Sequence, residues 1–232
     1  MGHRNGLRHP QLPEPIMVAT HYVLSFTAGG LLYHESIVVA EAYAAARGDW
    51  DRTIANVTEA NLLQSRTVST TARKLREVRK RLQLLSNHEM SLLSAGSRLD
   101  QKLLLWLACC MRYQVLGDFA RDVLRSKYLQ MELFVGAADV ERFLEAKAVW
   151  HEELDNLAAS TRTKLQTVMM RMLREAEMVN VDGLIISPAI SVELTSLLAQ
   201  RPPEHHQLFP ISDFGFWIQE DTNPKGQRGS RT

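Results

Sequence analysis

Cysteine is almost absent from the sequence: Cys109 and Cys110 are adjacent in the apolar run LLLWLACCM. Neighbouring residues on a helix point about 100° apart, which excludes a disulfide framework and a C-x-x-C metal site. Long apolar segments are also missing, because this run is well below the roughly 18 to 20 residues that cross a bilayer. We therefore expect two buried free thiols, as in a reducing cytosol, in a cytoplasmic protein without membrane contact.

An excess of charge of one sign is also missing. The 232 residues include 27 basic and 26 acidic groups, which gives a net charge of +1. The charge of the whole protein therefore predicts no partner, and any basic surface must be local. With 45% hydrophobic residues, the chain can bury a sizeable core as one large domain or as two small lobes.

Strand patterns are sparse, whereas helical periodicity is nearly continuous from residue 28 to residue 200. This pattern predicts an all-α, globular multi-helix fold with two helix-turn-helix-like elements. A disordered leader is expected over 1–16 and an N-terminal helical lobe with the first element over 17–135. A C-terminal helical lobe with the second element is expected over 136–200. An irregular tail over 201–232 should pack on the body through its aromatic side chains, which are Phe209, Phe214, Phe216 and Trp217.

The first element contains a strongly basic helix, with seven basic residues and one acid between positions 64 and 85. Ser69 or Thr70 is the predicted N-cap. Apolar residues at helical spacing predict a core-facing stripe made of Ala72, Leu75, Val78, Leu82 and Leu85. At about 100° per residue, the remaining arc carries Arg73, Lys74, Arg76, Lys80 and Arg81, with Arg79 at the edge of the stripe.

A shorter predicted helix over 52–63 precedes the basic helix across a tight connection. In a helix-turn-helix, the second helix enters the major groove, and its N-terminal half contacts bases and phosphates. Hydroxyls, helix-start amides and arginines are the groups that make such contacts. Two other interpretations fit the same charges: a solvated face of a structural helix, and a docking surface for an acidic protein partner.

The second element follows the same scheme with fewer charges. A helix capped by Ser160 should expose Thr161, Arg162, Thr163 and Lys164 in its first turn, with Arg171 and Arg174 farther along. Asp182-Gly183 between short runs of Val and Ile predicts a β-hairpin, which gives the order of a winged helix-turn-helix. The acidic stretch HEELD lies just before this helix, so the same lobe also presents a candidate protein-docking surface.

Motifs of known catalytic chemistry are incomplete in this sequence. HEELD at 151–155 begins like the zinc-protease pattern H-E-x-x-H, but Asp155 stands where the second histidine is needed. Gly29-Gly30 lacks the Lys-Ser/Thr of a phosphate-binding loop, and His205-His206 has no companion ligands. We therefore expect no catalytic residue, no metal site and no cofactor, and predict that the protein is not an enzyme.

Several segments, taken in order, resemble the BrxA family of bacterial bacteriophage-exclusion (BREX) systems. They are SFTAGGLLYHES, GDWD, NLLQSRT, RLQLLS, LLLWLACC and EAKAVWHEELDNLAASTRTKLQTVMMRMLREA, and they span roughly residues 22–200. The resemblance implies a small, cytoplasmic, all-helical and non-enzymatic component of a phage-defence locus. Such loci also encode a DNA methyltransferase, a large ATPase, a phosphatase-like protein and a Lon-like protease.

The resemblance also implies helix-turn-helix elements that associate with double-stranded DNA, in agreement with the local charge. The candidate DNA-binding residues are Arg66, Ser69, Thr70, Arg73, Lys74, Arg76 and Lys80 in the first element and Thr161, Arg162 and Lys164 in the second. Expected partners are double-stranded DNA and the methyltransferase, ATPase and phosphatase-like protein of the locus. We expect a monomer, because two such elements in one chain already offer two contact surfaces.

Overall fold

The computed structural model describes residues 21–212, and it confirms the predicted all-α fold. A short 3-10 turn at Ser25–Ala28 comes first, and a π-helical segment, Ala120–Arg125, interrupts the helices in the middle of the chain. The α-helices are α1 (Tyr33–Ala45), α2 (Trp50–Glu59), α3 (Val68–Leu82), α4 (Asn87–Ala95), α5 (Arg98–Arg112), α6 (Gln114–Phe119), α7 (Ser126–Leu129), α8 (Ala137–Ala148), α9 (Glu152–Asp155), α10 (Ala159–Glu175), α11 (Val192–Leu198) and α12 (Pro203–His206).

Helix α5 forms the centre of the core, because every side chain from Leu103 to Cys110 is buried. Helices α1, α3, α4 and α6 pack around it. The indole Nε1 of Trp106 donates to the carbonyl oxygen of Leu208 at 2.8 Å, which ties the C-terminal segment to this central helix. Both thiols are free and buried as predicted, and burial raises the pKa of Cys109 and of Cys110.

Helix starts differ from the sequence prediction by a few residues. Thr67, rather than Ser69 or Thr70, caps α3, and its Oγ1 accepts from the backbone N–H of Thr70 at 3.2 Å. Ser160 does not cap α10, because the N-cap is Ala158, two residues before the predicted one. Several hydroxyl residues compete near each start, and their positions in sequence do not decide which one adopts the extended conformation of a cap.

The predicted hairpin exists only as isolated antiparallel bridges. Val179 pairs with Ile185 across the Asp182-Gly183 turn, and Phe134 pairs with Leu184 on the other side. The described part of the chain holds no extended strand. The assignment of this hairpin as the wing of a second helix-turn-helix therefore stays a prediction.

Buried residues from Tyr22 to Phe209 form one continuous hydrophobic cluster. The division into two lobes, 17–135 and 136–200, stays a prediction. Leu208 and Phe209 are buried, and the packing of the whole tail over 201–232 on the body stays a prediction. The leader over 1–16 and the tail aromatics Phe214, Phe216 and Trp217 lie outside the described residues.

Within residues 21–212, no single helix is long and apolar enough to cross a membrane. One pair, Arg98–Arg112 with Gln114–Leu129, meets that criterion by length and composition only when the two are taken together, and it is bent by 116°.

A buried ion pair joins the C-terminal segment to α4. The carboxylate of Glu89, which is 1% exposed, accepts from Arg201 Nε at 2.7 Å, and Arg201 Nη2 donates to its second oxygen. The same carboxylate accepts from the backbone N–H of Ser86 at 2.7 Å and so closes the first turn of α4. Burial alone would raise the pKa of Glu89, but Arg201 and Ser86 outweigh burial and lower it.

Glu89→Gln should lower the free energy of unfolding at pH 7 by about 3 kcal/mol, because it leaves Arg201 without its counter-charge. A carboxyl whose folded pKa is lowered stabilises the protein above its unfolded pKa of about 4.3. That contribution is lost as the pH falls through the folded pKa, so the difference between variant and wild type should shrink in acid. Urea unfolding between pH 7 and acid measures this difference in the free energy of unfolding, with Glu41→Gln, at an exposed position of α1, as the control. A difference that is independent of pH would contradict this role.

Candidate nucleic-acid interface

Helix α3 has a buried face and an outward basic face. Thr71, Leu75, Val78 and Leu82 are buried, whereas Ala72, predicted in the core stripe, is exposed. At the roughly 100° per residue of an α-helix, four exposed positions on the outward side fall within an arc of about 60°. We call these four residues the α3 basic stripe; they are Ser69, Arg73, Arg76 and Lys80.

The three cations of the α3 basic stripe have no counter-charge in the part of the chain that the structure describes. Within residues 21–212, no carboxylate forms an ion pair with Arg73, Arg76 or Lys80, and none of the three stacks on an aromatic ring. Like charges at helical spacing repel one another by a few tenths of a kcal/mol per pair, roughly. The stripe is therefore an electrostatic penalty in the free protein that a polyanion would relieve.

Arg81 does not belong to this outward face, and its predicted position there is wrong. Its side chain is 1% exposed. Its Nη1 donates to the carbonyl oxygen of Gly30 at 2.7 Å, and its Nε donates to Glu77 Oε1 at 2.8 Å. The guanidinium also lies 5.6 Å from the centre of the Tyr113 ring. A buried charge needs such partners, since its hydration has been lost.

Glu77 is shared between Arg81 and the hydroxyl of Tyr113, which donates to the same carboxylate oxygen. Burial, helped by this hydrogen bond, raises the pKa of Tyr113 to about 12. The only acid of α3 is therefore engaged in internal hydrogen bonds, which leaves no acidic residue on the outward face of this helix.

Two further cations of α3 are engaged with neighbouring helices. Lys74 Nζ lies 2.7 Å from Glu35 Oε1 of α1. Burial would raise the pKa of Glu35, but the hydrogen bond and charge of Lys74 outweigh burial and lower it. Arg79 lies 3.9 Å from Asp51 and 5.8 Å from the centre of the Trp50 ring. Lys74, predicted as a DNA contact, therefore starts from an intramolecular ion pair that any phosphate would have to displace.

The connection between α2 and α3 is longer than predicted. It covers residues 60–67, whereas a helix-turn-helix joins its helices by a turn of about three to four residues. Asn61 adopts a left-handed conformation (φ 44°) where α2 ends, and Leu63 anchors the connection in the core. Arg66 is exposed in this segment, beside the stripe, and has no partner among the described residues.

The hydroxyls at the start of α3 form a small network of their own. The Oγ1 of Thr67 lies 2.9 Å from the Oγ1 of Thr70 and 3.1 Å from the Oγ of Ser69. Thr70 is half-buried, whereas Ser69 faces solvent. Ser69 therefore lies in line with the cations, and Thr70 supports the helix start.

The second element brings fewer of its predicted residues together. Thr161 and Lys164 are exposed, but Arg162 Nη2 donates to the carbonyl oxygen of Leu154 at 3.1 Å, and its Nη1 lies 3.4 Å from Glu141 Oε1. Arg162 thus attaches α10 to α8 and α9. Lys164, Arg171 and Arg174 share the outward side of α10, and Arg171 lies 3.6 Å from Glu175.

A cleft of about 410 Å³ separates α10 from the hairpin. Its walls include Thr163, Thr167 and Arg174 on the helix, and Val181 and Asp182 on the hairpin. No Lys or Arg occurs between residues 178 and 186. The hairpin therefore offers no cation to a phosphate, unlike α10 and α3.

The C-terminal parts of the two basic helices converge on the Gly29-Gly30 segment. Arg81 of α3 donates to Gly30, and the backbone N–H of Leu31 donates to Glu175 of α10 at 2.7 Å. Gly30 adopts φ 62°, and a Cβ atom there would lie 2.6 Å from Glu175 Oε2. Glycine avoids both this contact and the strain of the left-handed conformation, so a structural role accounts for Gly30.

The fold and this site define a class: an all-helical protein that presents a basic helix face. The family model BrxA matches residues 20–202, and the chain belongs to the BrxA family. This confirms the resemblance seen over residues 22–200, and it associates the chain with BREX phage defence.

Among solved structures, the fold is similar to the crystal structure of an uncharacterized protein from Magnetospirillum magneticum. The TM-score is 0.68 and the sequence identity 20%, over 81% of this chain and 96% of that chain. At this identity the similarity concerns the fold alone. No curated protein sequence matches the chain.

The contrast between Arg81 and Arg76 predicts unequal effects on stability for the same substitution. Arg81→Met should lower the free energy of unfolding by about 3 kcal/mol, because it leaves Glu77 and the Gly30 carbonyl without their buried donor. Arg76→Met, on the exposed side of the same helix, should change it by less than about 0.5 kcal/mol. Denaturant unfolding of the two variants measures both. Equal effects would show that Arg81 is not the internal charge described here.

Proposed function

We propose that this BrxA-family protein is a non-enzymatic, double-stranded DNA-binding component of a BREX-type phage-defence system. The observation that supports the proposal is the α3 basic stripe, with Arg73, Arg76 and Lys80 exposed, aligned and without carboxylate partners over residues 21–212. Three aligned cations suit a row of phosphates, because each neutralised phosphate releases a counterion and so favours association. We further propose that the protein acts in the cytoplasm as a monomer, with the other defence proteins as partners.

The contact is expected to be mainly to the phosphate backbone. Phosphate contacts position a protein on the duplex, whereas sequence is read by groups that reach base edges. Ser69 at the start of α3 is the polar neutral member of the stripe. The long connection before α3 differs from that of a helix-turn-helix with a short turn, so groove insertion of α3 does not follow from the turn itself.

Helix α10 is proposed as a secondary contact through Lys164 and Arg174. Both are exposed and lack carboxylate partners among the described residues. Arg162 is assigned a different task, the attachment of α10 to α8 and α9. Its contribution to DNA binding would be indirect, through the position of α10.

The triple variant Arg73→Glu, Arg76→Glu and Lys80→Glu should lose retention of a short random duplex at low salt. For the wild type, the logarithm of the association constant should fall linearly with the logarithm of the salt concentration, by about 0.9 per phosphate contact. The three cations of the stripe should contribute about 2.7 to that wild-type slope. Gel shifts across a salt series measure this, with thermal unfolding as a test of folding.

A matched pair of single variants controls for net charge. Arg76→Glu and Arg47→Glu change the charge equally, and both arginines are exposed without a described carboxylate partner, but only Arg76 is in the stripe. Arg76→Glu should weaken binding, and Arg47→Glu should leave it close to wild type. Equal losses would mean that overall charge, and not the stripe, determines binding.

Variants of Lys164 and Arg162, two candidate residues of α10, should give different results in the same assays. Lys164→Glu should lower the salt slope by about 0.9 without changing stability, as for an exposed phosphate contact. Arg162→Ala should lower the free energy of unfolding, because Glu141 and the Leu154 carbonyl lose their donor. The α10 assignment fails if Lys164→Glu binds duplex like the wild type.

An alternative function is a protein-interaction scaffold whose basic face docks acidic surfaces of other defence subunits. The Lys74–Glu35 and Arg79–Asp51 pairs favour it, since they show carboxylates already bound beside the stripe. Nuclease treatment during co-purification with the other locus proteins distinguishes the two. A complex that survives nuclease and dissociates in the triple variant supports the scaffold, whereas a triple variant that loses duplex but keeps its nuclease-resistant partners supports DNA binding.

A further inference from the structure

Two large apolar side chains that face solvent follow directly after helix α8. Val149 is 73% exposed and Trp150 is 76% exposed. Tryptophan is usually well buried in folded proteins, and it is enriched among the residues that dominate protein–protein binding energy. An adjacent exposed pair of this kind needs an explanation that a single exposed valine would not.

Trp150 stands at the end of a groove between α8 and the π-helical segment. The groove has a volume of about 580 Å³, and Phe143, Ala146 and Val123 provide its apolar surface. Successive residues of α8 at helical spacing form one wall, so the groove runs along the helix towards Trp150. Its size suits several side chains of a partner.

The charges inside the groove neutralise one another. Lys147 Nζ lies 2.9 Å from Asp122 Oδ2, and Lys127 Nζ lies 3.3 Å from Asp139 Oδ1. Arg142 Nη2 lies 2.6 Å from the same oxygen of Asp139. Because every cation of the groove has an acid partner, the groove does not share the unpaired positive charge of the α3 basic stripe.

The rim beside Trp150 is acidic. Residues 145–155 contain four acids against one base, Lys147, which is already paired. Glu153 is used internally, since it accepts from the Tyr22 backbone and lies 3.1 Å from His151 Nδ1. Glu145 and Asp155 are exposed and have no partner among the described residues. A phosphate backbone would be repelled here, whereas a basic protein surface would be attracted.

We propose that Val149 and Trp150, with the acidic residues Glu145 and Asp155 of the same stretch of chain, form a docking surface for a protein partner. The chemistry defines that partner as a surface with an apolar pocket for the indole and a rim of lysine and arginine. This surface lies outside the α3 basic stripe and has the opposite charge, so one molecule can hold DNA and the partner at the same time. The inference does not depend on DNA binding by α3.

The test is co-purification of the full-length tagged chain with the other proteins of its defence locus, produced together and treated with nuclease. The choice of test proteins rests on the family membership. At least one of them should remain bound to the wild type. Trp150→Ser should weaken that complex by about tenfold or more, as loss of a hot-spot side chain does.

Matched controls separate this surface from general effects. Val149→Ser should weaken the complex, whereas Val192→Ser, at a position that is also 73% exposed, should not. Glu145→Lys with Asp155→Lys should weaken it, whereas the same changes at exposed Glu41 and Glu59 should not. Trp150→Ser and Val149→Ser, which leave the net charge unchanged, should bind short duplex DNA like the wild type, which separates failure of this proposal from failure of the DNA assignment.

Three outcomes would overturn the proposal. The first is that no locus protein stays bound to the wild type after nuclease. The second is that Trp150→Ser retains the partner as the wild type does. The third is that light scattering shows the chain alone as a dimer that Trp150→Ser dissociates, since the surface would then serve self-association.

Discussion

The guanidinium of Arg81 is the internal charge around which the basic helix is organised. It joins α3 to the carbonyl of Gly30, shares Glu77 with the hydroxyl of Tyr113, and lies against the Tyr113 ring. Since an unpaired buried charge costs several kcal/mol, roughly, these partners must be in place together. The same segment binds Glu175 of α10 through Leu31, so both basic helices are fixed to one short stretch of chain. Once Arg81 is turned inward, the orientation of the other α3 cations follows from helical geometry alone.

A net charge of +1 hides a strong local separation of charge. Helix α3 holds six cations and one acid, and that acid is committed to Arg81 and Tyr113. The acidic stretch over 145–155 ends α8 and forms α9, with Trp150 exposed beside it. A protein with two unlike surfaces of opposite charge can hold two unlike partners without competition between them.

The sequence predicted the fold class and the existence of α3, because apolar periodicity is a local property of the chain. It also predicted that Arg73, Arg76 and Lys80 point outward, since their positions follow from the stripe at Leu75, Val78 and Leu82. It placed Arg81 on the wrong side of the helix, and it did not predict the ion pairs of Lys74 and Arg162. Their partners belong to other elements: Gly30 and Tyr113 for Arg81, Glu35 for Lys74, and Glu141 for Arg162. Periodicity indicates on which side a residue lies, whereas tertiary structure decides whether a charge there is already bound. The length of the α2–α3 connection was missed for a related reason, because α2 ends at Glu59 with Asn61 in a left-handed conformation.

Arginine footprinting by mass spectrometry, with and without a saturating short duplex at low salt, tests the central division of charges most directly. In the free protein, an arginine-selective reagent should modify Arg73 and Arg76 and leave Arg81 unmodified. Duplex should then protect Arg73 and Arg76, while exposed Arg47 continues to react. Modification of Arg81 in the folded protein, or undiminished reaction of Arg73 and Arg76 under saturating duplex, would contradict the account.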